Sequence, residues 1–428
     1  MTSAPNHRLP LSGSKKLLWL LALTVVGACS PKVRSVGTNR PMPQPHTVPP
    51  APTQKQPDVP TTANKPAPKP ANGKTSSIAL LMPFDLDKLN SARGYSKAEL
   101  REANIAIDYY QGFRLALDSL TSQGYNYRLQ VFDTKDNPAA AHSLSVNPAI
   151  RNSNLIVGPV FPESIKAFEG NPLAIRKTIV SPLAPTSPAE FNNPNLVTIT
   201  PPLEYHAAHT AQYISNRVRP KKVFILKSGF SEDNKYTVPF QHSLDSLSRY
   251  KIKVVSFNVT RGNLSALVPQ LDKANDNIFI VPAVNQGFLV VTLRSLDTLS
   301  KHYPVSVFGH PNWEKFTFLR AEVLQRIKAH ITVADRVNYH SSATVNFIKA
   351  YRKNFNSEPT AYAYKGFDEG LYFGELLAQE TNELSRLDRH DYKALHNNFH
   401  FVKKPGQGWV NTHVNLLKYV NFELKQVE

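Results

Sequence analysis

The chain has 428 residues, of which 41% are hydrophobic and 10% aromatic, so it can fill a sizeable core and is not an intrinsically disordered protein. Its formal net charge is +18, but half of this excess lies in the first 75 residues, which hold ten basic residues against one acid, Asp58. The remaining charge is spread thinly, and no finger, RNA-binding motif or basic helix accompanies it. We therefore expect contact with an anionic membrane or cell wall and no nucleic-acid partner.

The N-terminal segment has the pattern of an export signal. Positive charge comes first, at Arg8, Lys15 and Lys16. A ten-residue apolar run follows at 17–26, which is too short for a permanent membrane span. Small residues then precede Cys29, the only cysteine of the chain. This combination resembles the lipobox of bacterial lipoproteins, which implies a signal peptide over 1–28 and a lipid on the Cys29 thiol. The alternative is an ordinary secretory signal with an incidental cysteine.

Residues 29–75 are predicted to form a proline-rich tether. Eleven prolines fall within residues 41–70, and no apolar periodicity is present. Proline at this density favours polyproline II, a semi-rigid spacer of ~3.1 Å per residue. An SH3-type ligand would need a cytoplasmic partner, which the export signal argues against. Several acyl chains at ~0.8 kcal/mol per CH₂ would make a stable anchor, and we expect it to hold the protein at the outer membrane, facing the periplasm.

From residue 76 onward, short apolar runs alternate with stretches of helical period. The runs predict strands at 78–82, 127–132, 155–157, 178–180, 222–226, 253–257, 278–281 and 305–308. Helices are predicted between them at 105–120, 137–144, 165–168, 206–218, 240–248, 264–273 and 287–299. Alternation at this spacing indicates right-handed βαβ units, and their number exceeds one compact sheet. We predict an α/β fold with two Rossmann-like lobes, each with a parallel sheet, over 76–428.

Four pairs of segments resemble the type 1 periplasmic-binding fold of the leucine/isoleucine/valine-binding kind. In chain order they are 78–84 with 110–116, 155–160 with 178–186, 356–359 with 364–371, and 408–411 with 417–419. They include a Gly-Pro loop at Gly158 and a Ser-Pro loop at Ser181. The first strand and helix also resemble the lipoproteins that activate penicillin-binding proteins, whose C-terminal domain shares this fold.

The resemblance implies a clamshell whose lobes are joined by a three-crossing hinge. We place the crossings near 200–202, 333–337 and 388–399. Lobe 1 would comprise about 76–201 and 337–388, and lobe 2 about 202–333 and 399–428. In the binding members a ligand lies between the lobes, where helix N-termini and loop amides attract carboxylates or other anions.

The same resemblance implies ligand-binding residues on the loops between the lobes. From the first lobe these are Phe84, Asp85, Glu163, Ser164, Ala184, Thr186 and Ser187, and from the second they are Asn285, Asn312 and Trp313. Asp85 could equally belong to a solvated turn, and Trp313 to the core rather than to a ligand. No acid stands where relatives bind an ammonium group, which speaks against a free α-amino acid as the ligand.

The sequence indicates no enzyme, cofactor or metal site. It contains no zinc-protease helix, nucleophile elbow or dinucleotide-binding glycine motif. The pairs His206/His209 and His396/His400 have no third ligand at a convincing spacing. Two functions remain open: a solute-binding receptor that clamps a small polar ligand for an ABC importer, and a non-catalytic regulator of peptidoglycan synthesis that binds a cell-wall synthase. The cleft hydroxyls favour the first, and the long basic tether favours the second.

Overall fold

The computed structural model describes residues 74–88, 96–191, 193–379 and 383–427. These residues belong to one compact unit, Ala67–Glu428, whereas the other unit, Met1–Pro66, lies outside the described residues. The predictions for the signal peptide, for Cys29 and for nearly all of the tether therefore concern residues that are not described.

The strands occur at almost every position where the sequence predicts one. In chain order they are β1 (Thr75–Met82), β2 (Asn126–Asp133), β3 (Leu155–Val157), β4 (Ile179–Ser181), β5 (Leu196–Thr198), β6 (Lys222–Lys227), β7 (Lys253–Asn258), β8 (Asn277–Val281), β9 (Val305–Gly309), β10 (His330–Val333), β11 (Phe401–Lys403), β12 (Trp409–Asn411), β13 (Asn415–Val420) and β14 (Glu423–Gln426). The longest apolar runs became strands such as β1 and β8, which are almost entirely buried, as parallel strands covered on both faces must be.

Helices connect the parallel strands. In chain order they are α1 (Lys97–Thr121), α2 (Pro138–Ser145), α3 (Pro148–Arg151), α4 (Pro162–Glu169), α5 (Leu203–Tyr213), α6 (Asn234–Ser248), α7 (Gln286–Leu299), α8 (Ala321–Arg326), α9 (Ser342–Phe355) and α10 (Ala361–Ala378). The predicted helix at 264–273 is wrong, because the chain there forms a 3₁₀ turn, Ser265–Gln270. Pro269 lies inside it, and proline has no N–H to donate to an α-helical ladder.

The strands form two sheets of the same design. The first has the order β11-β12-β5-β4-β3-β1-β2, and the second has the order β14-β13-β10-β9-β8-β6-β7. Neighbouring strands run parallel except in the pairs β11–β12, β10–β13 and β13–β14. The predicted α/β architecture with two mostly parallel sheets is therefore confirmed.

The helices α1 and α10 pack backbone against backbone on the first sheet. A Cβ atom on Gly366 would lie 2.0 Å from the carbonyl oxygen of Tyr109, and one on Gly112 would lie 2.0 Å from that of Ala363. Only glycine permits this approach. The sequence segments 110–116 and 364–371, which carry the family resemblance, are thus the two sides of one helix contact.

The third crossing between the lobes lies later than predicted. β12 pairs with β5 through Trp409 and Val197, so residues 401–411 belong to the first sheet and not to lobe 2, and the crossing is at 412–414 rather than at 388–399. Aromatic packing holds this segment to the hydrophobic core of the first sheet. The ring centroids of Phe399 and Phe401 lie 5.2 and 5.7 Å from that of Tyr372. Strands of three residues show too little alternation to be recognised in the sequence.

Candidate ligand-binding cleft

All three crossings begin at the carboxyl ends of strands. Residues 199–202 follow β5, residues 334–341 follow β10, and residues 412–414 follow β12. The third crossing enters β13, which is antiparallel to β10 and starts at Asn415, opposite Val333 at the end of β10. The carboxyl edges of the two sheets therefore meet at the crossings and border a common cleft, the place where open α/β folds bind ligands.

Each sheet has one switch point, where the strand order reverses. In the first sheet it lies between β1 and β3, and in the second between β6 and β8. We call the four loops that follow these strands the switch loops; they comprise residues 83–88, 158–161, 228–233 and 282–285. Ligand crevices in doubly wound sheets open at such points.

The first switch loop is held by the carboxylate of Asp133. Its Oδ1 accepts the N–H groups of Phe84 and Asp85 at 3.0 and 3.2 Å, and its Oδ2 accepts that of Leu86 at 3.2 Å. The side chain of Asp85 is buried and lies 3.1 Å from the ammonium group of Lys88. Phe84 is buried against Tyr110. The amides that were predicted to attract an anion are therefore already occupied by a carboxylate of the protein.

The second group of predicted residues lies in the first turn of α4. Ser164 is buried, whereas the side chain of Glu163 is 78% exposed and lies 3.8 Å from the ammonium group of Lys166. Pro162 opens the helix, and no side chain caps it. Glu163 places negative charge at this helix N-terminus, which makes the terminus less attractive to an anionic ligand.

The Ser-Pro loop connects the two lobes directly. The hydroxyl of Ser187 donates to Glu204 Oε1 at 2.6 Å, and Glu204 lies in the first turn of α5 on the second lobe. Thr186 is buried, and its Oγ1 has no hydrogen-bond partner among the described residues. Ala184 is buried and accepts the N–H of Thr186 at 2.8 Å. Ser187 is thus an interlobe contact in this structure, and Thr186 has a free hydroxyl oxygen.

The predicted residues of the second lobe serve mainly structural roles. Asn285 is exposed and caps α7 by accepting the N–H of Phe288 at 3.0 Å. Asn312 is exposed, and its N–H donates to His310 Nδ1. Trp313 is only 1% exposed, and its indole N–H donates to Ala283 O at 3.1 Å. Trp313 lies in the core of the second lobe in this structure, and its ring packs over Gly309, where a Cβ atom would lie 2.3 Å from it.

Exposed apolar side chains on the switch loops were missed by the sequence reasoning. Each of the four loops carries one, and they are Leu86 (56% exposed), Phe161 (39%), Phe230 (57%) and Val284 (40%). A contiguous exposed apolar patch marks a binding surface, and because the four loops border the same cleft, these side chains are candidate ligand contacts. The signal was present in the sequence, because each of them follows a strand end by no more than four residues.

Several histidines near the crossings are buried and neutral. Burial, together with the neighbouring His310, lowers the pKa of His206 to about 3, and burial lowers the pKa of His310 to about 4. His206 Nδ1 lies 2.9 Å from Thr332 Oγ1. His396 and His400 are not on one helix; they contact Asp368 and Asp391, respectively. Within the described ranges no cluster of three His, Cys, Asp or Glu residues could hold a metal ion.

Comparison with solved structures identifies the fold. A substrate-binding protein of an ABC transporter from Desulfitobacterium hafniense, in complex with Leu, matches with a TM-score of 0.53 at 16% identity, covering 83% of this chain and 100% of that one. A putative branched-chain amino acid ABC transporter protein from Rhodospirillum rubrum matches with a TM-score of 0.58 at 12% identity, with the same coverage of 83% and 100%. The chain has the type 1 periplasmic-binding fold.

A regulator of cell-wall synthesis shares this fold. The C-domain of LpoA from Haemophilus influenzae, a regulator of PBP1A, matches with a TM-score of 0.54 at 13% identity, covering 82% of this chain and 100% of that domain. No family model and no curated protein matches the chain. Sequence identities this low show only that the fold is shared. They do not identify a ligand or a partner of this chain. None of the helices in the described ranges is long and apolar enough to cross a bilayer.

Proposed function

We propose that the chain is a non-catalytic binding protein of a bacterial cell envelope, whose two lobes close on a small ligand and deliver it to an ABC importer. The observation that carries this proposal is the meeting of both carboxyl edges at the three crossings, which places two switch points at one cleft. Solved ABC transporter substrate-binding proteins of the same fold support it.

The ligand that fits this cleft has an apolar side. The amides of the first switch loop are held by Asp133, and Asn285 caps α7, so few polar groups are left to bind a zwitterion. Each switch loop also exposes one large apolar side chain, such as Phe161 on the first lobe and Phe230 on the second, beside exposed polar residues such as Glu232. Burying such a side chain on closure contributes roughly 1.5–3 kcal/mol.

A thermal-shift screen tests the receptor function. A ligand that binds only the folded protein, present at a concentration 100 times its Kd, should stabilise the protein by about 2.7 kcal/mol. Phe161→Ala and Phe230→Ala should each weaken binding about tenfold or more, because each removes one apolar wall of the closed cleft. Tyr250→Ala is the matched control, since Tyr250 is 81% exposed but lies just before β7, at the opposite edge of the second sheet. If both phenylalanine variants bind the ligand as wild type does, the cleft is not its site.

The second candidate function is regulation of peptidoglycan synthesis by binding a cell-wall synthase. The observation that favours it is the Ser187–Glu204 hydrogen bond, which uses a predicted ligand group to fasten one lobe to the other. A scaffold for a protein partner needs such fastening and does not need an open cleft. If a library of amino acids, peptides, sugars and apolar acids produces no thermal shift, capture of a membrane-bound synthase by the tethered protein becomes the deciding assay.

The membrane anchor is part of the same proposal and rests on the sequence around Cys29. The intact mass of the protein from its host membrane should correspond to a chain that begins at Cys29 and carries acyl groups. Cys29→Ser should leave the protein without the lipid and free of the membrane. An unmodified N-terminus at any other residue contradicts the anchor without affecting the binding function.

A further inference from the structure

A concave site lies at the hinge and is lined by residues other than the switch loops. We call it the hinge pocket. Its walls are the second crossing, the loop at 394–398, His413 of the third crossing, and the second sheet at Asn415 and Gln426. Its volume is about 580 Å³, within the range of roughly 300–1,000 Å³ that is usual for small-molecule sites. Its lining shares no residue with the switch loops, so a ligand held by this lining would be bound by other residues than Phe161 and Phe230.

Amide side chains dominate the lining of the hinge pocket. They come from three of the four walls and are Asn338, Asn397, Asn398, Asn415 and Gln426. Among the described residues, the lining includes no aspartate, glutamate or lysine. An amide offers both a donor and an acceptor, and this pairing matches a hydroxyl group, which also donates and accepts. A wall of amides without acids therefore fits a ligand that is rich in hydroxyl groups.

Part of this wall is held in place before any ligand arrives. His413 Nδ1 lies 2.8 Å from Asn397 Oδ1, and the Asn398 amide lies 3.3 Å from His413 Nε2. Burial, followed by the nearby His209 and His400, lowers the pKa of His413, so its ring is neutral and serves as a spacer between the two amides. The fixed amides lose little conformational entropy when a ligand binds.

Tyr339 supplies an aromatic platform at the rim of the hinge pocket. It is 61% exposed, and its ring stands edge-on to the buried ring of Tyr364, with 6.2 Å between the centroids. Tyr364 packs in turn on Phe347 at 4.8 Å. One ring face is therefore available to the weakly apolar C–H face of a sugar ring, while the edge contact limits its motion.

Arg336 is the one formally charged residue among the described residues of the lining. Its side chain is exposed, and its backbone N–H donates to His396 O, which fixes the position of the main chain. Among the described residues its guanidinium has no ion pair within 4 Å. It acts at longer range on Glu314, where burial raises the pKa of the carboxyl group and the charge of Arg336 opposes that rise. A guanidinium in this situation binds a carboxylate through two parallel hydrogen bonds.

We propose that the hinge pocket binds an acidic saccharide, with Arg336 on the carboxylate, Tyr339 against a ring face and the asparagine amides on the hydroxyl groups. Because its walls include two of the three crossings, the occupied pocket would bridge both. The proposal does not depend on the identity of the cleft ligand.

Saturation-transfer NMR with three disaccharides and the full mature chain tests the proposal. The first probe is N-acetylglucosaminyl-N-acetylmuramic acid, and the second is a glucuronic acid disaccharide. The third is N,N′-diacetylchitobiose (chitobiose below), which differs from the first in lacking the lactyl ether and its carboxylate. We expect at least one acidic disaccharide to bind about tenfold more tightly than chitobiose. Which of the acidic probes binds better identifies the source of the saccharide.

Two variants and their controls complete the test. Arg336→Gln should reduce the affinity for the acidic probe to that for chitobiose. Tyr339→Ala should reduce the affinity for all three probes. Arg294→Gln and Tyr250→Ala, which change exposed residues elsewhere, should bind as wild type does. The proposal is overturned if neither acidic disaccharide binds, or if binding survives Arg336→Gln unchanged. It is also overturned if the cleft variant Phe161→Ala abolishes the signal, since the saccharide would then be the ligand of the cleft.

Discussion

Alanine in place of Gly366 should lower the free energy of unfolding by about 3 kcal/mol, which is at the upper end of the usual cost of overpacking. The new methyl carbon would lie 2.0 Å from Tyr109 O and 3.0 Å from Phe113 N, both of them main-chain atoms of α1 that cannot rotate away. The helices α1 and α10 must therefore move apart, which disturbs the hydrophobic core of the first sheet. The loss would occur despite the gain of up to about 1 kcal/mol that alanine normally brings to a helix.

Gly287→Ala provides the matched control in urea unfolding. Gly287 lies in the first turn of α7, and the nearest atom to its added Cβ would be Asn285 Oδ1 at 3.4 Å, which is ordinary contact. We expect this variant to be as stable as wild type or slightly more so. If Gly366→Ala proves as stable as Gly287→Ala, α1 and α10 do not approach as closely as the structure shows.

The features that the sequence predicts correctly are those written in local patterns. Buried strands such as 78–82 appear as unbroken apolar runs, and their alternation with helical stretches indicates parallel sheets before any contact is known. Gly366 was recognised only as part of a family motif, and the structure supplies the physical reason, a helix contact with no room for a methyl group.

The features that the sequence does not predict depend on partners far along the chain. Asp133, which lies about fifty residues later in the sequence, accepts the N–H groups of the first switch loop. The loop therefore resembles an anion site in sequence, but its amides already have a partner in the folded protein. Trp313 follows a strand end, where a ligand contact is expected, but its ring packs over Gly309 and its indole N–H donates to Ala283 O, so it lies in the core. Polar groups of a predicted cleft can be consumed by the fold itself, and only the three-dimensional contacts reveal it.

Replacing Asp368 by alanine should destabilise the protein by about 3–5 kcal/mol, because it leaves three buried donors without an acceptor at roughly 1–3 kcal/mol each. Asp368 is 1% exposed, and its carboxylate accepts the N–H groups of Leu395 and His396, each at 2.9 Å, and contacts His396 Nδ1 as well. All of these donors would lose their acceptor in the interior, where water cannot replace it. Because the loop at 394–398 is a wall of the hinge pocket, the same change should loosen that wall.

Asp391→Ala is the matched control, because Asp391 also contacts a histidine, with its Oδ1 at 2.7 Å from His400 Nδ1. The side chains of that pair are 75% and 55% exposed, so water can satisfy His400 after the change, and exposed pairs of this kind contribute roughly 0–1 kcal/mol. Urea unfolding of both variants should therefore differ by about 2 kcal/mol or more. Equal losses would mean that water reaches Asp368, and that the loop at 394–398 is held by its aromatic neighbours, such as Phe399, rather than by this carboxylate.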